Sequence, residues 1–312
     1  MGTPEFALIS LQRLVERGYN VVGVVTMPDK PVGRHHDTLS SSPVKQYAVA
    51  HGLPVLQPER LRDEAFLSQL RQLQADVQVV VAFRMLPEVV WAMPPRGTFN
   101  LHAALLPKYR GAAPINWAVI NGEQETGVTT FFLDHDIDTG AIIHQQRVPI
   151  GDADCVGDVY DRLALVGADL VCRTLDDIAA GTVRPIPQEQ LPQPTPQSST
   201  APKLFKDTCR IEWAWHTART ARNFIRGLSP YPGAWTTLRY PDGREVVLKV
   251  FAAEVAADTD VPASLREVVG SPLAVRFADG LLCLTDIQVA GKRRMAAADF
   301  LRGARLEGAT LG

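Results

Sequence analysis

Residues 185–202, PIPQEQLPQPTPQSSTAP, hold six prolines among glutamine, serine and threonine. Proline fixes φ and has no N–H to donate, so neither a long helix nor a central strand can run through such a stretch. The composition reads as an extended, semi-rigid spacer. It divides the 312 residues into two parts, each long enough to bury a core of its own. The expected division is a first domain over 1–184, a linker over 185–203 and a second domain over 204–312.

In the first part, β-branched runs alternate with helical patterns. Val21–Thr26 (VVGVVT) and Val77–Phe83 (VQVVVAF) read as strands buried on both faces, as in a parallel sheet. Between them, Leu61–Gln74 places Leu61, Phe66, Leu67 and Leu70 along one helical side. Thr98–His102, Val128–Leu133 and Ala141–Val148 supply further strands, and Val156–Ala180 reads as one long helix stopped by Gly181 and Pro185. An α/β class with an open, doubly wound sheet follows. In the second part, a helix over Ala218–Gly227 precedes strands at Ala234–Arg239, Val246–Glu254, Leu273–Phe277 and Leu281–Val289, separated by Pro-Asp-Gly and Ala-Asp-Gly turns. That spacing indicates a small, mostly antiparallel β-barrel.

Several classes are excluded at this level. Hydrophobic content of 46% and charged content of 21% are globular values. No eighteen apolar residues run together, the first ten residues lack a secretory pattern, and Phe6 stands where myristoylation needs Ser or Thr, so a cytoplasmic location is expected. Cys155, Cys172, Cys209 and Cys283 form no CxxC pair and read as reduced structural thiols, with no metal site expected. Residues 1–203 carry 17 Lys and Arg against 22 Asp and Glu, whereas residues 204–312 carry 15 against 12. The basic second part suits contact with a polyanion, though a solvated surface has the same composition.

The stretch 99–140, FNLHAALLPKYRGAAPINWAVINGEQETGVTTFFLDHDIDTG, carries the chemistry. Asn100 and His102 lie two apart at the end of an expected strand and share a face. In open α/β sheets, binding crevices lie beyond the carboxyl ends of strands. Asp138 precedes Thr139-Gly140, a turn able to swing its carboxylate toward the same crevice. An amide, an imidazole and a carboxylate suit acyl transfer to an amine: His102 can handle the proton or donate to the oxyanion, Asn100 is a fixed neutral donor, and Asp138 can hold the imidazole tautomer. On spacing alone, a structural hydrogen-bonding trio fits the same residues.

Asn100-Leu101-His102, Ala104-Leu105-Leu106-Pro107, Tyr109 to Pro114, Glu125-Thr126-Gly127 and Asp138-Thr139-Gly140 together resemble the hallmark of folate-dependent formyltransferases. Gly2 to Ala7, the Pro28–Val44 loop, Ala201 to Leu204, Arg226 to Pro230 and Pro232 to Trp235 resemble the methionyl-tRNA branch of that family. The likeness runs from residue 2 to about Leu306. It implies a Rossmann-like first domain and an OB-like second one, with Asn100, His102 and Asp138 as catalytic residues. It implies that Ala104, Leu105, Leu106 and Pro107 lie against 10-formyltetrahydrofolate, a diffusible co-substrate. It further implies that Phe83, Met85 and Leu86, in the Val80–Leu86 strand and loop, line the pterin pocket. The acceptor implied is initiator methionyl-tRNA, met by Arg34, Lys203, Lys292, Arg293 and Arg294, and the implied state is a monomer. Even with the resemblance, Lys292-Arg293-Arg294 reads equally well as a solvated turn.

Three departures from the family pattern stand out. Ala104 replaces the usual serine, so one hydroxyl near the folate is absent. The apolar strand that normally precedes Gly-Thr-Pro-Glu-Phe is represented by Met1 alone. The loop after Gly33 reads Arg34-His35-His36-Asp37-Thr38, less basic than the family norm, and its paired histidines read as a solvated loop rather than metal ligands. Trp213, Trp215, Tyr231 and Trp235 gather at the start of the second domain, where core packing is favoured over base stacking. Two other functions stay open: formyl transfer to a small-molecule amine, and a non-catalytic RNA binder on a decayed scaffold.

Overall fold

The computed structural model describes residues 1–32, 38–256, 269–270, 273–304, 306 and 308–312. The chain forms two compact units. The first comprises residues 1–111, 125–149 and 160–200, and the second residues 112–124, 150–159 and 201–312.

The first unit opens with α1 (Glu5–Glu16), followed by β1 (Val24–Val25), α2 (Pro43–Ala50), β2 (Val55–Leu56), α3 (Glu64–Gln72) and β3 (Gln78–Val81). Ser42 and Asp63 start α2 and α3 by accepting backbone N–H groups at 3.1 and 2.9 Å. The site-bearing sheet then runs through β4 (Thr98–His102), β5 (Glu125–Phe132) and β6 (Ile142–Pro149), in the order β3-β4-β5-β6. β3 and β4 are parallel, as are β1 and β2, but β5 runs antiparallel to both β4 and β6. The sheet is therefore mixed, where the buried apolar runs alone indicated parallel strands. The β5–β6 connection is a hairpin that requires no crossover helix. The long helix α4 spans Val156–Ala180, as its pattern indicates. Within the first unit it packs on the sheet, with the Thr130 and Thr174 hydroxyls paired at 2.9 Å in the buried layer.

Met1 and Gly2 lie between β1 and β3 and pair with both. Gly2 N–H donates to Val25 O at 3.0 Å and Val81 N–H to Met1 O at 2.9 Å, knitting β1 to β3. Beside them lies an apolar cavity of about 220 Å³ lined by Leu11, Leu14, Val22, Val24, Val77 and Val79 among others. The proline-rich stretch is more than a spacer: Ile186 pairs with Ile142 at 2.8 and 2.9 Å, and Gln188 is fully buried.

In the second unit, α5 (Ala218–Leu228) begins with a capping box between Thr217 and Thr220. It packs on a curled antiparallel sheet of β7 (Ala234–Arg239), β8 (Glu245–Ala256), β9 (Val269–Gly270), β10 (Leu273–Phe277), β11 (Gly280–Val289), β12 (Met295–Ala296) and β13 (Thr310–Leu311). The order is β9-β10-β11-β8-β7-β13, with β12 on β11. This is the OB-like half-barrel, its core built from Ile225, Leu228, Leu248, Leu282 and Ile287.

Candidate active site

β4 carries the two residues that spacing singled out. It lies between β3 and β5, so its backbone is paired on both sides, with His102 opposite Thr129 and Asn100 opposite Phe131. Phe99 and Leu101 are buried on the other face of the strand. The Asn100 side-chain oxygen is buried and has no hydrogen-bond partner among the described residues. Buried polar atoms are nearly always paired, which sets this one apart on the strand face.

His102 is 5% exposed. Its Nε2 lies 2.9 Å from Tyr109 O. A carbonyl can only accept, so Nε2 carries the hydrogen and Nδ1 faces the Asp138 carboxylate, 3.6 Å from Oδ2. That same Oδ2 accepts the Gly111 N–H at 2.8 Å. Asp138 holds this position on a left-handed backbone, φ 56°, as does Tyr109 at φ 57°. Such conformations cost non-glycine residues about 1–3 kcal/mol and persist only where neighbours over-determine them. The structure thus brings His102 and Asp138 together by distance, and Asn100 onto the same face by strand alternation.

Ala104–Pro107 follows β4 and is fixed by two residues that sequence reasoning missed. Thr129 Oγ1 donates to Ala104 O at 2.6 Å and accepts from Leu106 N–H and Gln145 Nε2 at 3.2 and 3.0 Å. Gln145 also donates to Leu106 O at 2.8 Å. Ala104, Leu106 and Pro107 are buried, while half-buried Leu105 packs on Gly127, where a Cβ would come within 2.5 Å of Leu105 Cδ2. Strand alternation offered the available signal for Thr129, which stands directly opposite His102. Gln188, whose amide reaches the Asp138 turn, gave none within its glutamine-rich stretch.

Past β3, Phe83 is half-buried, Met85 is 68% exposed and Leu86 lies in the core. Arg84 ties this loop back by donating to Glu59 O at 2.8 Å and to Pro58 O. Lys203, Lys292 and Arg293 are exposed in the second unit. Arg294 donates twice to Asp286 Oδ2, at 2.9 and 2.7 Å, and lies over the Phe251 ring. Arg34, His35 and His36 lie outside the described residues.

The tryptophan cluster departs from expectation. Trp213 is buried, its indole N–H on Thr236 Oγ1, but Trp215 and Tyr231 stand 83% and 81% exposed. The turn Trp213–Trp215 is a single 3₁₀ turn, which sends only one of its two indoles inward. All four thiols are pushed up by burial, which disfavours the reactive thiolate.

The Formyl transferase family pattern matches residues 1–175, and the Formyl transferase, C-terminal domain pattern matches residues 203–305. The chain belongs to the formyl transferase family. It is 58% identical to the methionyl-tRNA formyltransferase of Parabacteroides distasonis over 305 residues, covering 97% of this chain and 94% of that one. It is also 58% identical to the methionyl-tRNA formyltransferase of Phocaeicola vulgatus, covering 98% and 94%. Among solved structures, the N-formyltransferase of Helicobacter canadensis, in complex with folinic acid and dTDP-3-aminofucose, superposes with a TM-score of 0.64. That match is 19% identical and covers 91% of this chain and 97% of the other. It shows the shared fold.

Proposed function

We propose that this protein transfers a formyl group from 10-formyltetrahydrofolate to the α-amino group of methionyl initiator tRNA. Near full-length identity to proteins of that name supports the reading. The observation that carries it is the buried, unpartnered Asn100 oxygen on the strand face that also presents His102, itself paired to Asp138.

The folate, when bound, supplies the formyl carbon. The chain's own groups meet what acyl transfer to an amine demands. Asn100 offers Oδ1 to an amine N–H and its amide N–H to an oxygen that gains charge. His102 Nδ1 takes the proton that the amine loses, and the Asp138 carboxylate stabilises the resulting imidazolium. The Ala104–Pro107 backbone with Leu105, and the Phe83, Met85 and Leu86 loop, hold the folate. Arg34, Lys203, Lys292 and Arg293 contact tRNA phosphates, and Arg294 braces their turn through Asp286. Residues 1–184 carry catalysis and 204–312 carry tRNA binding, joined through 185–203, in a monomeric cytoplasmic enzyme. Among the described residues, no helix is long and apolar enough to cross a membrane.

The test is formylation of methionyl initiator tRNA with 10-formyltetrahydrofolate. Turnover that disappears in His102→Ala supports the assignment. Turnover on small amines but not on the charged tRNA refutes the acceptor.

A further inference from the structure

We infer that Gln188, from the proline-rich stretch, is a positioning residue that sets the Asp138 carboxylate against His102. The inference rests on the catalytic reading of that pair.

Gln188 is 0% exposed, and its amide is saturated. Nε2 donates to Asp138 O at 2.8 Å and to Gly140 O at 2.9 Å. Oε1 accepts from Arg110 Nε at 3.1 Å and from Arg110 Nη2 at 2.6 Å. These four bonds reach both constraints on Asp138. Behind the residue, they fix the carbonyls of the turn that holds Asp138 on its left-handed backbone, φ 56°. In front of it, they anchor Arg110, the neighbour of the Gly111 whose N–H holds Oδ2. Gly140 itself admits no side chain, because a Cβ there would lie 1.7 Å from Phe132 O. Gln188 is itself held by Gln193, which donates to its carbonyl at 3.0 Å, and by the Ile186–Ile142 pairing.

The chemistry at this position requires an amide. Only an amide donates twice and accepts twice from one planar group. A carboxylate of the same shape keeps Arg110 but turns an acceptor toward two carbonyls, which drives the Asp138 turn away. An apolar isostere leaves those carbonyls and Arg110 unpaired in a buried site.

The experiment is a double-mutant cycle on formylation of methionyl initiator tRNA, using the full chain with Gln188→Leu, Gln188→Glu, Asp138→Asn and the paired combinations. Each Gln188 variant lowers kcat about ten- to a hundredfold through a misplacement of under ~1 Å. KM for both substrates stays within about twofold. Combined with Asp138→Asn, neither lowers kcat further, because the group being positioned is already lost. Gln188→Glu recovers activity on acidification relative to wild type, since its protonated form donates again. Should Gln188→Leu fail to fold, Gln188→Glu, with its Arg110 pairing intact, carries the cycle alone. Losses that multiply with Asp138→Asn, or an unchanged kcat, overturn the positioning role. Absence of formylation by the wild type fails the catalytic reading instead.

Discussion

Asp138 Oδ2 stands 3.6 Å from His102 Nδ1 while accepting the Gly111 N–H at 2.8 Å. The carboxylate is thus aimed by a backbone donor, and the imidazole by the Tyr109 carbonyl on its other nitrogen. Replacing Asp138 by Asn or His102 by Ala is expected to lower kcat by about 10²–10⁴. Asn100→Ala is expected to lower it by about 10²–10³, the usual loss of one oxyanion donor. Single-turnover formylation measures both, and filter binding should show tRNA affinity unchanged. Loss of tRNA affinity in step with turnover would place these residues in binding instead.

The Ala104–Pro107 segment depends on one buried hydroxyl. Thr129→Val keeps the shape but leaves Ala104 O and Leu106 N–H without their partner. Each buried orphan costs about 1–3 kcal/mol. Urea unfolding of the variant should therefore show reduced stability, and the KM for 10-formyltetrahydrofolate should rise while that for tRNA holds. An unchanged folate KM would mean that the segment does not need Thr129 for its shape.

Much of this was legible in the sequence, and the reason is local. Thr98–His102 and Val156–Ala180 appear with the bounds their patterns indicate, because a short strand and a long periodic helix ended by Gly181 are decided within their own neighbourhoods. Asn100 and His102 were findable for the same reason, two apart on one strand. Gln188 was not, because its partners, Asp138 and Gly140, are about fifty residues away and nothing local marks one glutamine among several. The antiparallel course of β5 was hidden likewise, since a strand buried on both faces looks the same in either direction.

Lys292 and Arg293 are exposed, whereas Arg294 is tied to Asp286 and covers Phe251. Lys292→Ala and Arg293→Ala should each raise the KM for tRNA and reduce the slope of log affinity against log salt by about one. Arg294→Ala should instead lower the melting temperature, through the stranded Asp286 and uncovered ring. A gel-shift titration across salt, beside thermal melts, separates the two classes. Equal salt slopes in all variants would remove this turn from the tRNA surface.

The Met1 amine lies in the slot between β1 and β3, donating to Val79 O at 2.6 Å beside the 220 Å³ apolar cavity. Burial pushes it down from its ordinary value of 8.0 to about 5. In the unfolded chain it titrates at the ordinary value, so between about pH 5 and 8 the unfolded state binds more protons than the folded state. Stability therefore rises with pH across that window, and the penalty for holding the charged amine in the slot is fully present below about pH 5. A short β-branched extension fused ahead of Met1 removes the amine from the slot and places apolar side chains against Val22, Val24, Val77 and Val79. Each fully buried Val or Ile adds about 1.5–3 kcal/mol. The extended chain is expected to melt several degrees higher at pH 6 and to lose most of the pH slope between 5 and 8. Thermal melts of the two chains across that range decide it. Parallel slopes would show that the amine reaches solvent, and an unchanged melting temperature would show that the slot does not accept a strand.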